Sequence, residues 1–469
     1  MDRVNRPAGP LRALPSIEAL MREPALESAL AAVPRALLIE AAREEVAIER
    51  ARVKRSGKAS SAAEIAGRAA ERARVAMQPL LRRVINATGV VLHTNLGRAP
   101  LAERARHAVD DIARGYSSLE LDLASGRRGH RGDGVARWLT RLTGAEAALA
   151  VNNGAGAVLL ALSALTSGRA VLVSRGELVE IGGSFRIPDI LEKSGARLIE
   201  VGTTNRTHVR DYRRALEKGG VGAILRVHRS NFKIDGFTTR PTLAELAALT
   251  KKARIPLIED LGSGALVDLA SAFGLEHEPT VAESLADGVD VVTFSGDKLL
   301  GASQAGLIVG KRRLIDRIGA DPLARALRLD KLALAALEAT LPLIADPGRA
   351  AHEIPTLAML RIGEAELMAR AERLGLALEA AIPGLATKVA RAEGEVGGGA
   401  LPMRELPSWV VEVRVEGRTA LELQIAARGS DPPVIGIVRA DAFRLDPRTI
   451  SIDELEELPH VLARAWGWA

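Results

Sequence analysis

From Val84 onward, short apolar runs alternate with amphipathic stretches of 10–15 residues. VINATGVVLHT is followed by LAERARHAVDDIA, AALAVNN by AVLLALSAL, AVLVSR by IPDILEKSG, and RLIEVG by VRDYRRALEKG. VGAILRVHR, IPLIEDLG, DVVTFSG and AGLIVGKRRLIDRI continue the series. This alternation predicts βαβ units, hence a mostly parallel sheet of about seven strands covered by helices on both faces. Ligands of such sheets bind beyond the C-terminal strand ends, where these runs break into glycine and polar residues. Before Val84 the period is helical. LPSIEALMREPALESALAAV offers a Ser16 cap and a break at Pro24; Pro34 opens PRALLIEAAREEVAIERARV. SGKASSAAE at 56–64 reads as a small polar hinge, and AGRAAERARVAM returns to helix. After about 335 come LAALEATLPLIAD, further helices, the strand PSWVVEVRVEG and a closing helix. The expected layout is a helical domain at 1–60, a linker helix at 61–83, a large α/β domain at 84–335 and a small α+β domain at 336–469. RAEGEVGGGALPM at 391–403 reads as a glycine-rich turn, and no internal repeat is present.

Composition fits several domains, since 469 residues exceed one compact core. Aromatics make up only 3%, so alanine, leucine and valine must build the interior. The absence of cysteine excludes disulfides, thiolate catalysis and Cys-ligated zinc. No run of about 18 apolar residues indicates a membrane span. MDRVNRPAGP has no secretory h-region, so a cytoplasmic protein is expected. The formal net charge is +6, and residues 1–80 hold 14 Lys and Arg against 10 Asp and Glu. RVKRSGK at 52–58 is as rich in cation as that whole excess; it fits a solvated helix end and, less readily, a nucleic-acid phosphate contact.

Four groups of polar residues stand at strand ends. VNNGAGA at 151–157 joins a strand to a helix, and Asn153, Gly154 and Ala155 would offer N–H groups to a phosphate. Asp260 ends IPLIED, where a buried carboxylate needs a cationic partner or a capping role. His228, Ser230 and Asn231 follow another strand; taken alone, His228 reads first as a satisfied structural histidine. Lys298 stands in VVTFSGDKLL between a strand and the apolar pair Leu299–Leu300. Each piece alone fits an ordinary turn. Together they form a site for pyridoxal 5'-phosphate (PLP). The loop and Ser295 take the phosphate, Asp260 keeps the ring nitrogen protonated, and Lys298 holds the aldehyde as a Schiff base. Apolar flanks would lower the lysine pKa toward a working nucleophile and base. Order and spacing agree with the PLP superfamily typified by aspartate aminotransferase.

The motifs INATGVVLHTNLGRAPL, YSSLELDLASGRRG, LTGAEAALAVNN, RGELVEIGGSFRIPDI, EVGTTNRT, HRSNFKIDGFT, EDLGSGALVDL, FSGDKLLG and ARALRLDKLALAALEATL, in this order, resemble bacterial selenocysteine synthase over nearly the whole chain. The resemblance implies conversion of L-seryl-tRNA(Sec) to L-selenocysteinyl-tRNA(Sec), with selenophosphate as donor and an aminoacrylyl intermediate on PLP. It assigns Asp297 to the chemistry near the β-carbon and Arg98, Arg325 and Arg328 to the selenophosphate anion. Arg325 and Arg328, three apart, are expected to share a helix face. It further implies a tRNA-gripping N-terminal domain and a cytoplasmic ring of dimers, a decamer being typical, with active sites at dimer interfaces.

Several positions depart from the family pattern: Gly154-Ala155-Gly156 after VNN, Gly129-His130-Arg131, Asp321, Gly301-Ala302-Ser303-Gln304 and Ile437. Asp321 adds a negative charge near the proposed anion site. The segment 174–185 holds no His, Tyr or Trp to stack on a cofactor ring, which leaves Glu177, Glu180 or an aliphatic residue. Two rivals stand beside this reading. A PLP lyase for a small amino acid or amino sugar would not need the 80 N-terminal residues. A noncatalytic RNA-binding protein would not need Lys298 with Asp260.

Overall fold

The computed structural model describes Leu11 and residues 14–181, 185–401 and 405–468. MDRVNRPAGP, Gly182, Gly183 and Ser184 of the 174–185 segment, and Pro402 and Met403 lie outside the described residues. The chain divides into two compact units, Met1–Arg83 and Val84–Ala469.

In the first unit the helices are Ile17–Leu20, Pro24–Ala29, Arg35–Ser56 and Ala62–Met77. Ser16 caps the first, accepting from the Ala19 N–H at 3.1 Å. Pro24 opens the second at the position where a missing N–H costs nothing. Ala62–Met77, expected to be a linker, is instead part of this unit's core. Ile65, Ala66, Ala69, Ala70 and Ala73 are buried in one cluster with Leu38, Ala42 and Val46. Small residues repeating every three to four positions make a stripe that lets two helices approach closely. Charge closes the pair: Arg68 reaches the buried carboxylates of Glu45 at 3.1 Å and Glu49 at 2.9 Å, and Arg72 reaches Glu45 at 2.6 Å. The helical unit therefore runs past residue 60 through this whole helix. RVKRSGK is the last turn of Arg35–Ser56, ended by Gly57 at φ 72°. Arg52 turns back to Glu49 at 2.8 Å, while Lys54, Arg55 and Lys58 are exposed.

The second unit is built on a seven-stranded sheet. Its order is Ala147–Val151, Gly306–Gly310, Val291–Ser295, Leu257–Gly262, Val221–Val227, Ala170–Ser174, Arg197–Val201, and only Gly306–Gly310 runs antiparallel. Alternate residues feed two apolar layers. Leu172, Ile224, Leu257 and Val292 enter one, Val171, Ala223, Ile258 and Val291 the other. Period-two alternation with both sides apolar is why these strands read as continuous hydrophobic runs.

VINATGVVLHT does not join this sheet. Ile85–Asn86 pairs with Val434–Ile435, and Val90–Leu92 forms the edge of a five-stranded sheet with Leu385–Gly397, Glu405–Val415, Ala442–Leu445 and Ile437–Arg439. The small-domain sheet thus recruits residues expected in the large domain. The expected boundary at 335 also falls inside a helix: Lys331–Ile344 packs on Glu103–Ala113 and Asp133–Thr143. Among the described residues no helix is long and apolar enough to cross a membrane.

Candidate active site

Lys298 follows the strand Val291–Ser295 and is 4% exposed. Leu299 and Leu300 behind it are buried, as the apolar flank predicted. No described residue makes a hydrogen bond to its amine. Burial pushes the amine well below the usual lysine range; the Arg98 cation adds to this, and Asp260, Asp297 and Glu278 oppose it.

Asp260 stands on the neighbouring strand, in register with Thr293. The Thr293 hydroxyl donates to Asp260 Oδ1 at 3.1 Å. Burial pushes the Asp260 carboxyl up from its usual range, against the pull of Lys298 and of that hydrogen bond. The two groups share one space. A β-carbon placed on Gly262, at φ 70°, would lie 3.8 Å from Lys298 Nζ, 4.0 Å from Asp260 Oδ1 and 4.0 Å from Ser230 Oγ. An amine without a hydrogen bond facing a buried carboxylate is an unfinished polar arrangement, suited to a ligand that brings the missing partners.

The loop VNNGAGA starts the helix Gly154–Thr166. Asn153 caps it, accepting from the Gly156 N–H at 2.8 Å. The N–H groups of Gly154 and Ala155 precede any intrahelical acceptor, so they stay available to an anion. A β-carbon at Gly154 would come within 2.8 Å of Ser295 Oγ. Glycine at 154 thus lets the loop lie against Ser295, beside Lys298. These features fit PLP: a phosphate cradle, a lysine and an aspartate at the C-terminal ends of adjacent strands.

His228 follows Val221–Val227, and its N–H donates to the Asp260 carbonyl at 2.9 Å. Its Nε2 lies 3.0 Å from Glu278 Oε1. Burial opposes charge on Glu278, yet His228, Ser263 and the Leu401 backbone hold its carboxyl below the usual range. Glu278 had no signal in the sequence, since it lies in an irregular stretch far from any motif. Neither acidic candidate for covering a cofactor ring does so. Glu177 is fully buried against Arg226, 2.9 Å away. Arg226 pairs in register with Glu259, so it points to the face opposite Asp260. Glu180 pairs with Arg186 at 2.6 Å on an exposed hairpin.

The glycine-rich stretch expected to be a turn begins as the end of the strand Leu385–Gly397 and does turn at Gly398 and Gly399, over Lys298. A β-carbon at Gly399, at φ 92°, would stand 2.3 Å from Lys298 Nζ.

Residues 84–451 match the family model described as L-seryl-tRNA selenium transferase, and residues 11–50 match selenocysteine synthase N terminal. A Geobacter sulfurreducens protein named L-seryl-tRNA(Sec) selenium transferase is 48% identical over 94% of this chain and 96% of its own length. One of the same name from Geotalea uraniireducens is 49% identical over 96% of this chain and 97% of its own. The chain belongs to the L-seryl-tRNA selenium transferase family. Among solved structures, D-glucosaminate-6-phosphate ammonia-lyase has a TM-score of 0.55 at 21% identity, over 82% of this chain and 96% of that one. That likeness shows the fold, the aspartate aminotransferase-like α/β architecture.

The three arginines that the family resemblance singles out stand in different settings. Arg98 Nη1 pairs with Asp297 Oδ2 at 2.7 Å, next to Lys298. Arg328 pairs with Glu120, which also holds Arg128 and Arg131. Arg325 is exposed on the short helix Pro322–Ala326. The helix ends before Arg328, which instead bridges to Val151, while Asn152 N–H donates to the Leu327 carbonyl at 2.8 Å. Arg325 and Arg328 therefore share no helix face, contrary to expectation, and Arg328 lies at the root of the VNNGAGA loop. Asp321 caps Pro322–Ala326, accepting from the Leu323 N–H at 2.9 Å. Its charge serves the helix end.

Proposed function

We propose that the chain converts L-seryl-tRNA(Sec) to L-selenocysteinyl-tRNA(Sec) with selenium from selenophosphate, using PLP held at Lys298. The observation that carries the reading is the buried Lys298 amine facing Asp260 across Gly262, in a chain similar over almost its full length to transferases of that name. That coverage includes the N-terminal helices, which a lyase for small amino acids would not require.

PLP supplies an aldehyde for the lysine and an electron sink for the substrate's α-carbon. Lys298, whose amine burial pushes toward the neutral form, would hold that aldehyde and supply the base for the substrate's α-proton. Asp260 would partner the protonated ring nitrogen, its charged form favoured by the Thr293 hydrogen bond against burial. Gly154, Ala155, Asn153 and Ser295 would receive the phosphate, and His228, paired with Glu278, would border the ring. Asp297, ion-paired with Arg98 next to Lys298, is the residue we assign to the β-carbon step. Arg98 meets the donor's phosphate only by sharing or releasing that pair. Seryl-tRNA presents an ester, so no arginine clamp for a substrate carboxylate is required.

The exposed Lys54, Arg55 and Lys58 contribute to tRNA phosphate contacts. Tyr116, Leu121, Leu123 and Phe237 are exposed on the second unit; such apolar surface supports self-association. We read the assembly as the cytoplasmic ring of dimers, a decamer, that the family resemblance implies, and light scattering measures its size.

The test is conversion of seryl-tRNA(Sec) with selenophosphate by purified protein, together with peptide mapping of PLP fixed to Lys298 by borohydride. Protein that fixes PLP but neither binds this tRNA nor forms the selenocysteinyl product refutes the reading. Arg325→Ala with Arg328→Ala separates two assignments. Retained PLP with a weakened donor step places them on selenophosphate. Lost PLP places them on the cofactor phosphate, a second reading favoured by the pairing of Leu327 and Arg328 with the root of the phosphate loop.

A further inference from the structure

The small-domain sheet reaches the lysine through three consecutive glycines. Gly397 pairs with Leu92, and a β-carbon there would meet the Leu92 carbonyl oxygen at 2.7 Å. One at Gly398 would meet Thr94 Cγ2 at 3.0 Å. One at Gly399 would meet Lys298 Nζ at 2.3 Å, Cε at 2.6 Å and Cδ at 3.1 Å. The third glycine is therefore pressed along the lysine side chain up to its amine. Ala400 and Leu401, both buried, then anchor the loop in the cluster that contains Leu92 and Leu299. Glycine at 399 answers two demands at once: the left-handed φ of 92° and the missing side chain.

We propose that Gly399 is a positioning residue, whose backbone forms the wall that seats the Lys298 amine against Asp260 and closes it off from water. This rests on the reading of Lys298 as the cofactor lysine, and it adds a specific task for the small domain. That sheet does more than pack on the large one: its strand Leu385–Gly397, next to the edge, delivers the wall. The groups that face the amine are then Asp260 from the central sheet, Asp297 with Arg98 beside it, and Glu278 behind. Ordinary contact with a β-carbon begins at 3.4 Å. A methyl at 399 drives the amine back by about 1 Å, a displacement that costs on the order of 100-fold in a reaction of oriented groups.

The experiment measures how fast PLP becomes attached to Lys298, by borohydride trapping and peptide mass, as a function of pH and without tRNA or selenium donor. Attachment joins the lysine nitrogen to the aldehyde carbon with loss of one water. Gly399→Ala is expected to slow it on the order of 100-fold. Its pH midpoint is expected to move alkaline, because the amine leaves its desolvated seat. Gly384→Ala is the control, since Gly384 has a similar φ of 78° with nothing within 4 Å; it should leave both rate and midpoint unchanged. Thermal melting supplies the second arm. Gly399→Ala should lower Tm in the natural chain and lower it less beside Lys298→Ala, where the obstructing side chain is gone. If Gly399→Ala does not fold, the double variant should. An unchanged rate and midpoint overturn the proposal, as does an equal Tm loss, or failure to fold, with and without the lysine side chain. If the natural chain attaches no PLP, the cofactor reading fails and the melting arm still decides the packing. If it attaches PLP but converts no tRNA, only the substrate reading fails.

Discussion

Replacing Thr293 by valine removes one hydroxyl from the buried side of Asp260 and little else. Thr293 is 0% exposed, its Oγ1 is 3.1 Å from Asp260 Oδ1, and its second acceptor is the Glu259 carbonyl at 3.4 Å. Valine has the same shape, so the change tests the hydrogen bond and not the packing. A bond to a charged group contributes about 1.5–3 kcal/mol. At 3.1 Å it is longer than the usual O–H···O spacing of about 2.7–2.8 Å, which places it at the lower end. A loss of about 1.5 kcal/mol is about tenfold in affinity. The proposed PLP complex draws on the charged form of Asp260, which the Thr293 hydrogen bond favours and burial opposes. Most of the cost should therefore fall on PLP binding, with a Tm change of about 2 °C. The pH dependence has a definite sign. Thr293 lowers the Asp260 pKa, so its removal raises it further, and PLP loss on acidification should begin at higher pH. Equilibrium dialysis with PLP across about pH 5–8 measures both effects. Thr293→Ser, which keeps the hydroxyl, should restore most of the affinity. Equal weakening by serine, which keeps the hydroxyl, and by valine, which keeps the methyl, would assign the effect to packing and refute the hydrogen-bond argument.

Asp297→Asn removes a carboxylate that supports the Lys298 charge and frees the Arg98 cation that opposes it. The pH midpoint of PLP attachment should move to lower pH; an alkaline shift would contradict the electrostatics. Ile65→Ala opens a cavity in the helical unit and should cost it about 2–5 kcal/mol. tRNA binding should fall while PLP attachment stays within about twofold, since a residue from the supposed linker is in that core; unchanged hydrogen exchange over residues 35–77 would refute this. Combined substitution of Lys54, Arg55 and Lys58 by alanine should reduce the slope of log K for tRNA against log salt by about one for each phosphate that is no longer neutralised. An unchanged slope removes them from the interface.

The main sheet was legible because its strands are buried on both faces and punctuated by glycine and polar residues at the ligand-bearing ends. What the pattern concealed was partnership. VINATGVVLHT reads as a first strand of the large domain, since hydrophobicity shows that a segment is buried and not against which sheet. Its partners, Val434–Ile435 and Leu385–Gly397, lie about 300 residues away. The helix Ala62–Met77 reads as a linker for a related reason. Its buried face is alanine, weakly apolar in any periodicity count, and it is completed by Arg68 and Arg72 reaching Glu45 and Glu49 on another helix.

The same contrast governs the site. Lys298, Asp260 and the VNNGAGA loop were readable because each ends a strand, and parallel strands bring their C-terminal ends together whatever lies between them in sequence. For Arg325 and Arg328 the spacing misleads: three residues imply a shared face only while the helix lasts, and this one stops at Ala326. Glu278 and Gly399 gave no signal, because neither ends a strand of the main sheet. Gly399 is the more instructive. Three glycines in a row satisfy every criterion for a turn, yet each lacks a side chain for a distant reason: Gly397 abuts Leu92, Gly398 abuts Thr94, and Gly399 abuts a lysine 101 positions earlier in the sequence. A glycine run that ends a buried strand should therefore be tested against reactive side chains elsewhere in the chain before it is assigned to a turn.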